Sequence, residues 1–358
     1  MSRKLLITST GFCNTGSSAV THILSEFDDV VNSTGVYEIR LLYDPDSISD
    51  LEHNLVEMPH RQNSSYAVRR FIRYIKFNSN PLLNHHYEKM CSGMFRKITQ
   101  SYIRDLLLFD YKAQTFIDVW DKGSLVWFLD RVYMKLIKVL FRQRFTNIIP
   151  SSIIKAQRQY ACTCDKSHFL RATKKYIGEF LDFIRKGNDI VLIDQFFPAT
   201  NISKYIQYIP DEYEIKAFIV DRDPRDLYVM FKKLLNTTGV PCYDVRIFCD
   251  WVRWTREQSQ IKPDPECVKR IQFEDLIYNY EETRNRILEF CGFSELSCGY
   301  KGKIFRPMIS INNTQSWLRY PDLANDIKYI EATLPNYCYD FESKSIKPDF
   351  ENGKMFDC

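Results

Sequence analysis

An apolar run of strand length, Lys4-Leu5-Leu6-Ile7-Thr8-Ser9-Thr10, ends on Gly11, and from Gly16 onward Ala19, Val20, Ile23, Leu24 and Phe27 recur at helical spacing. The change of period across a short glycine-bounded loop predicts strand, loop and helix. A second short strand candidate, Val30 to Asn32, follows at once, completing a compact βαβ unit. Parallel strands joined through a helix belong to sheets covered by helices. Three later segments, Asp189–Asp194, Ile215–Asp221 and Val268–Phe273, have the same strand texture, and helical patterns follow the last two. The expected fold class is α/β, a parallel sheet flanked by helices.

Between residues 45 and 187 the texture changes to long, aromatic, basic helical stretches with few strand signals. We read a single α/β domain with a core of 1–44 and 188–320, a large helical insertion at 45–187 as the acceptor-site candidate, and a C-terminal extension at 321–358. Within the insertion, residues 124–144 are apolar except for a basic stripe of Arg131, Lys135, Lys138 and Arg142. Two readings stay open: a buried helix with one wet edge, or a helix lying on an anionic membrane or docking an acidic acceptor. Charges interrupt it too often for a membrane span.

Lys and Arg number 49 against 45 Asp and Glu, a formal net charge of +4, too mild for a nucleic-acid coat, so no nucleic-acid partner is expected. The 11 cysteines are odd in number and scattered, which suits reduced thiols and a cytoplasmic location. The basic start at Met1-Ser2-Arg3-Lys4 leads into an apolar run too short for a signal peptide. Cys162, Cys164 and His168 lack a fourth ligand at usual spacing, and no metal is expected. His22, His53, His60, His85, His86 and His168 have no motif partner and read as satisfied core or surface histidines.

Chemistry concentrates in two loops. Gly11-Phe12-Cys13-Asn14-Thr15-Gly16-Ser17-Ser18 has the Gly-x4-Gly frame of a P-loop between a strand and a helix, so the sheet is P-loop-like. Backbone amides, a helix N-terminus and the hydroxyls of Thr15, Ser17 and Ser18 suit an anion. A plain capped turn is the alternative. Ser17 stands where a nucleoside-triphosphate loop has lysine, which weakens a kinase reading. The second loop, Arg222-Asp223-Pro224-Arg225-Asp226, ends a strand and opens a helix, with proline where its missing amide hydrogen does no harm. Arg222 at the carboxyl end of a parallel strand can grip a phosphate with two hydrogen bonds. The alternative is that Arg222 and Arg225 pair with Asp223 and Asp226 on the surface.

Together these loops resemble those of sulfotransferases that use 3′-phosphoadenosine 5′-phosphosulfate (PAPS). Thr15-Gly16-Ser17-Ser18 is similar to the family's 5′-phosphosulfate loop and Arg222-Asp223-Pro224-Arg225-Asp226 to its 3′-phosphate motif. Phe273-Glu274-Asp275-Leu276, with the helix ending Phe290-Cys291-Gly292-Phe293, resembles its late strand and helix. Pro307-Met308-Ile309-Ser310, with Asn313 and Trp317, resembles its cofactor-covering segment. The resemblance covers residues 4–44 and 189–320. It implies PAPS as co-substrate and a cofactor site built from Cys13, Asn14, Thr15, Gly16, Ser17, Ser18, Arg222, Met230 and Ser310.

Two positions depart from the family. Asn14 replaces the loop lysine, a role open to Arg40 or to a residue of the insertion, and Met230 replaces a phosphate-binding serine, with Ser310, Arg306 or Lys303 as compensating candidates.

Transfer to a hydroxyl needs a base. Gly35-Val36-Tyr37-Glu38-Ile39-Arg40 resembles the segment of carbohydrate sulfotransferases that carries a catalytic glutamate, so Glu38 is the first candidate, Asp194 the reserve, and a glycan hydroxyl the expected acceptor. A surface Glu38 paired with Arg40 is the competing reading. The rival functions are a nucleotide-dependent kinase on the same frame and a non-catalytic nucleotide-binding scaffold that docks a membrane or partner.

Overall fold

The computed structural model describes residues 4–32, 35, 37–80, 82, 87–140, 152–235, 239–294, 298–350 and 353. In chain order the strands are β1 (Lys4–Gly11), β2 (Val30–Val31), β3 (Leu107–Ala113), β4 (Gln157–Cys162), β5 (Ile190–Asp194), β6 (Tyr213–Asp221) and β7 (Val268–Gln272). The helices used below are α1 (Ser17–Leu24), α2 (Arg61–Asn78), α3 (Phe95–Leu106), α4 (Ser124–Leu140), α5 (Lys166–Arg185), α6 (Pro224–Val229), α7 (Val245–Gln260), α8 (Tyr280–Cys291) and α9 (Ala324–Thr333). The chain divides into two units, residues 1–43 with 177–358, and residues 44–176, with the division falling inside α5.

The first unit holds a five-stranded parallel sheet in the order β2-β5-β1-β6-β7, flanked by helices. β1 is central and both of its faces are covered, which accounts for consecutive apolar residues at Leu5, Leu6 and Ile7. The βαβ unit expected at the start is split in space, because β5 lies between β1 and β2. Nothing local reveals this, since the inserted strand arrives some 160 residues later.

The polar half of β1 is fully buried and must satisfy its hydroxyls internally. Ser9 Oγ lies 2.6 Å from Thr21 Oγ1 and donates to Asp194, Thr10 donates to Gln195 Oε1, and Thr8 Oγ1 accepts from the Phe196 amide. These bonds tie the end of β1 to the end of β5, where the site lies.

One face of the sheet packs Ile7, Leu192, Phe218 and Ile271 against Val20, Ile23 and Leu24 of α1 and Ile287 and Leu288 of α8. A second cluster joins Leu227, Phe231, Phe248 and Val252 to Leu323, Ile327 and Ile330. Part of the segment read as an extension is therefore core, and it backs the helix that follows Arg222.

The second unit contains α2, α3, α4 and an antiparallel ribbon of β3 with β4. The ribbon corrects the expectation of a helical insertion; β3 leaves most side chains exposed, so it lacks the burial alternation that marks a strand. Over residues 124–140 the reading as a buried helix is also overturned, since the one buried residue of α4 is Asp130. Arg142 of the expected stripe, and His85 and His86, lie outside the described residues.

Candidate functional site

All elements of the site belong to the first unit. β1 ends at Gly11, where a Cβ would fall 2.0 Å from Thr15 Oγ1, so only glycine lets the loop fold back this tightly. Thr15 accepts from the Phe12 amide at 3.0 Å and donates to the Val220 carbonyl at 2.7 Å. Its hydroxyl proton is therefore committed to β6 and Thr15 is buried behind the cavity, so its hydroxyl is not a phosphate donor. This corrects the sequence expectation: a threonine between two sharp backbone turns is needed there as a peg.

Cys13 and Asn14 have φ of 73° and 53°, and Gly16 has φ of 92° with its Cα facing the Phe273 ring. Left-handed backbone at two non-glycine residues is a local strain that the surrounding bonds hold in place. α1 starts on Gly16 with no side-chain cap and no acid in its first turn, so its positive end is open. Ser17 Oγ accepts from Gln195 Nε2 at 2.9 Å, which leaves its own proton for a ligand.

At the end of β5 the Asp194 carbonyl accepts the Ile39 amide at 3.0 Å, which pins the Glu38 segment beside the sheet. Glu38 is half exposed, 3.9 Å from Arg40, and Arg40 lies over the Tyr43 ring. Asp194 is buried. Loss of solvent, with the Glu38 charge added, pushes its carboxyl up to about 6, against the hydrogen bond from Ser9. The Cys13 thiol is raised by burial and by Glu38 and eased down by Arg40 and Arg256, which places it in the same field.

At the end of β6, Arg222 is 5% exposed. One of its terminal nitrogens donates to the Asn313 carbonyl, the other lies 3.8 Å from Met230 Sδ, and its plane covers the Phe273 ring at 4.7 Å. Its Nε is buried and has no hydrogen-bond partner among the described residues. The pairing alternative holds for one arginine: Arg225 is bound to the buried Asp223 and also reaches Glu331 and the Tyr339 carbonyl, whereas Arg222 pairs with neither acid and Asp226 instead caps the Gln315 and Ser316 amides. Burial raises the carboxyls of Asp226 and Glu274, while the Arg222 charge pulls both back.

These pieces line one cavity of about 830 Å³. Glu38, Arg40 and Asp194 reach it from one edge; Cys13, Asn14, Gly16, Ser17 and Ser18 from the loop and α1; Arg222, Met230 and Ser310 from the far side. Arg306 also lines it, whereas Lys303 rests over the Tyr300 ring. Among the described lining residues the full charges are three arginines and two carboxylates. No group of three or more metal-binding side chains occurs among the described residues.

Sequence reasoning missed several contributors. Gln195 clamps Thr10 to Ser17 from a left-handed backbone, a conformation that no local pattern announces. Arg256 of α7, 2% exposed, grips Asp221 with two hydrogen bonds and lies 4.6 Å over Phe12, holding the loop to β6. Trp254 presents an exposed ring, and His22, whose imidazole burial makes less basic, adds a nitrogen to the wall. The helical period of 245–260 was the available signal, but it does not say which face meets the cavity.

No protein-family model matches the chain, and no curated protein matches it. Among solved structures it is similar to the sulfotransferase STF1 of Mycobacterium tuberculosis, with 13% identity and a TM-score of 0.32 over 93% of this chain and 77% of that one.

Proposed function

We propose that the protein is a PAPS-dependent sulfotransferase acting on a hydroxyl of a carbohydrate or glycan. The observation that carries this reading is that the open N-terminus of α1 and the buried, incompletely partnered Arg222 line a single cavity. A cavity of this volume holds a nucleotide, and two separated cationic ends suit a nucleoside with phosphate at both its 3′ and 5′ positions.

In this reading the 5′-phosphosulfate lies at the α1 N-terminus, met by backbone amides and the Ser17 and Ser18 hydroxyls. The 3′-phosphate takes the terminal nitrogen of Arg222 that faces Met230. Trp254 offers the adenine a ring to stack on. Glu38 removes the acceptor proton as the acceptor oxygen bonds to sulfur; the bond from sulfur to the 5′-phosphate oxygen breaks, and its electron pair stays on the phosphate. Arg40 and the helix end supply fixed positive charge where that charge grows, in place of the lysine that Asn14 replaces. Asp194, through its carbonyl bond to Ile39, sets where Glu38 stands.

Thermal-shift titration with 3′-phosphoadenosine 5′-phosphate and with magnesium-ATP, followed by transfer of labelled sulfate from PAPS to a glycan panel, tests the proposal. The bisphosphate is expected to stabilise the protein, and Glu38→Gln to abolish transfer while keeping that stabilisation. Stabilisation by magnesium-ATP alone overturns it in favour of a kinase. Binding without transfer to any acceptor leaves a nucleotide-binding scaffold. Unchanged turnover in the variant moves the base to Asp194.

A further inference from the structure

The second unit carries a surface that is separable from the cavity chemistry. At 3.6 residues per turn the side chains of α4 fall into three adjoining sectors. Val126, Asp130, Tyr133, Met134 and Ile137 share one side and are the residues of the helix with reduced exposure. An arc of about 120° carries Leu125, Phe128, Leu129, Val132, Leu136 and Val139, all exposed, with Leu125 at 70% and Val139 at 73%. The third sector, bordering that arc, holds Arg131, Lys135 and Lys138, also exposed.

The arrangement inverts that of a helix packed on a core. Its one acid, Asp130, is turned inward, where it accepts the Ser152 hydroxyl at 2.7 Å and the Ile153 amide at 2.9 Å. The outward side is left apolar with a purely cationic border, and none of its three cations makes an ion pair among the described residues. The preceding helix, Phe116–Asp121, adds exposed Phe116 and Trp120 four residues apart. Exposed apolar patches of this kind mark an interaction surface.

We propose that α4 lies in the headgroup region of an anionic lipid membrane, with its apolar arc in the acyl boundary and Arg131, Lys135 and Lys138 against lipid phosphates. Charge complementarity selects this occupant. The α4 of a second copy brings no exposed acid to answer the cations, and Asp121 of the neighbouring helix is already paired with Arg73, whereas anionic lipid answers all three. No described helix is long and apolar enough to cross a membrane, so contact is along the surface.

Sedimentation of the full chain with phosphatidylcholine vesicles, with and without anionic phosphatidylglycerol, tests the proposal. Binding is expected with the anionic vesicles and to weaken as salt rises. Each cation lost weakens it about fivefold, so Lys135→Glu with Lys138→Glu lowers partition at least about 25-fold. Phe128→Glu with Leu136→Glu is expected to abolish it while nucleotide-induced stabilisation is unchanged; that readout shows the variants fold and keeps failure here distinct from failure of the sulfotransferase reading. Equal binding to neutral vesicles, or none to either, overturns the proposal. So does a concentration-dependent dimer in light scattering that the Phe128 and Leu136 variant dissolves, which would assign the arc to a second copy.

Discussion

Arg222 offers the sharpest test of the two-ended cavity. It is buried, one terminal nitrogen is spent on the Asn313 carbonyl, the other meets only the weakly accepting sulfur of Met230, and Nε has no partner among the described residues. A 3′-phosphate on the nitrogen that faces Met230 would gain one charge-assisted hydrogen bond, worth about 1.5–3 kcal/mol. Arg222→Met should therefore weaken binding of 3′-phosphoadenosine 5′-phosphate by about 1.5–3 kcal/mol, a factor on the order of 10–10². Adenosine 5′-phosphate, which lacks the 3′ group, should bind wild type and variant alike. Isothermal titration of both ligands into both proteins isolates the term as a difference of differences. Arg222→Lys should recover only part, because an ammonium keeps the charge but loses the planar fork. Equal weakening of both ligands would mean that Arg222 merely shapes the cavity, and a preference that persists in the variant would refute its contact with phosphate.

Two further outcomes follow from the geometry. Asp194 has its folded-state carboxyl raised to about 6, so the folded protein binds more protons than the unfolded chain from about pH 4 to 6, and stability falls as pH rises through that window. Asp194→Asn should flatten this slope and raise stability above pH 6 by up to about 3 kcal/mol; denaturant midpoints at several pH values, parallel in the two proteins, would refute it. Gly16→Ala places a Cβ 2.4 Å from the Phe273 ring at a φ of 92°. Left-handed strain of about 1–2 kcal/mol and overpacking of about 1–3 kcal/mol combine to a loss of about 2–5 kcal/mol with failure of nucleotide binding. A loss under about 0.5 kcal/mol in urea melts would show that the loop relaxes freely.

Much of the first unit is legible in the sequence because its signals are local. The apolar run of β1, the glycines at 11 and 16, and Pro224 after Arg222 mark strand ends and helix starts through backbone sterics that act within a few residues. Parallel sheets bind ligands beyond the carboxyl ends of their strands, so loops 11–18 and 222–226 stand out as site candidates before any fold is drawn. The same reasoning misjudged Thr15, since a hydroxyl beside a glycine reads as a ligand donor until the Val220 carbonyl is found 2.7 Å away. It was silent on Gln195 and Arg256, whose roles come from partners 178 and 35 residues distant.

The sequence by itself determined the main strands and helices of the first unit and marked two loops as anion-binding candidates, because propensity, periodicity and turn chemistry are properties of neighbouring residues; it did not show the ribbon of β3 and β4. Only the tertiary structure decided that β5 enters between β1 and β2, that Glu38 and Arg222 share one cavity, and that α4 hides its acid and shows its apolar face. Each of those depends on contacts between residues far apart along the chain, where burial, hydrogen-bond satisfaction and charge pairing are settled jointly.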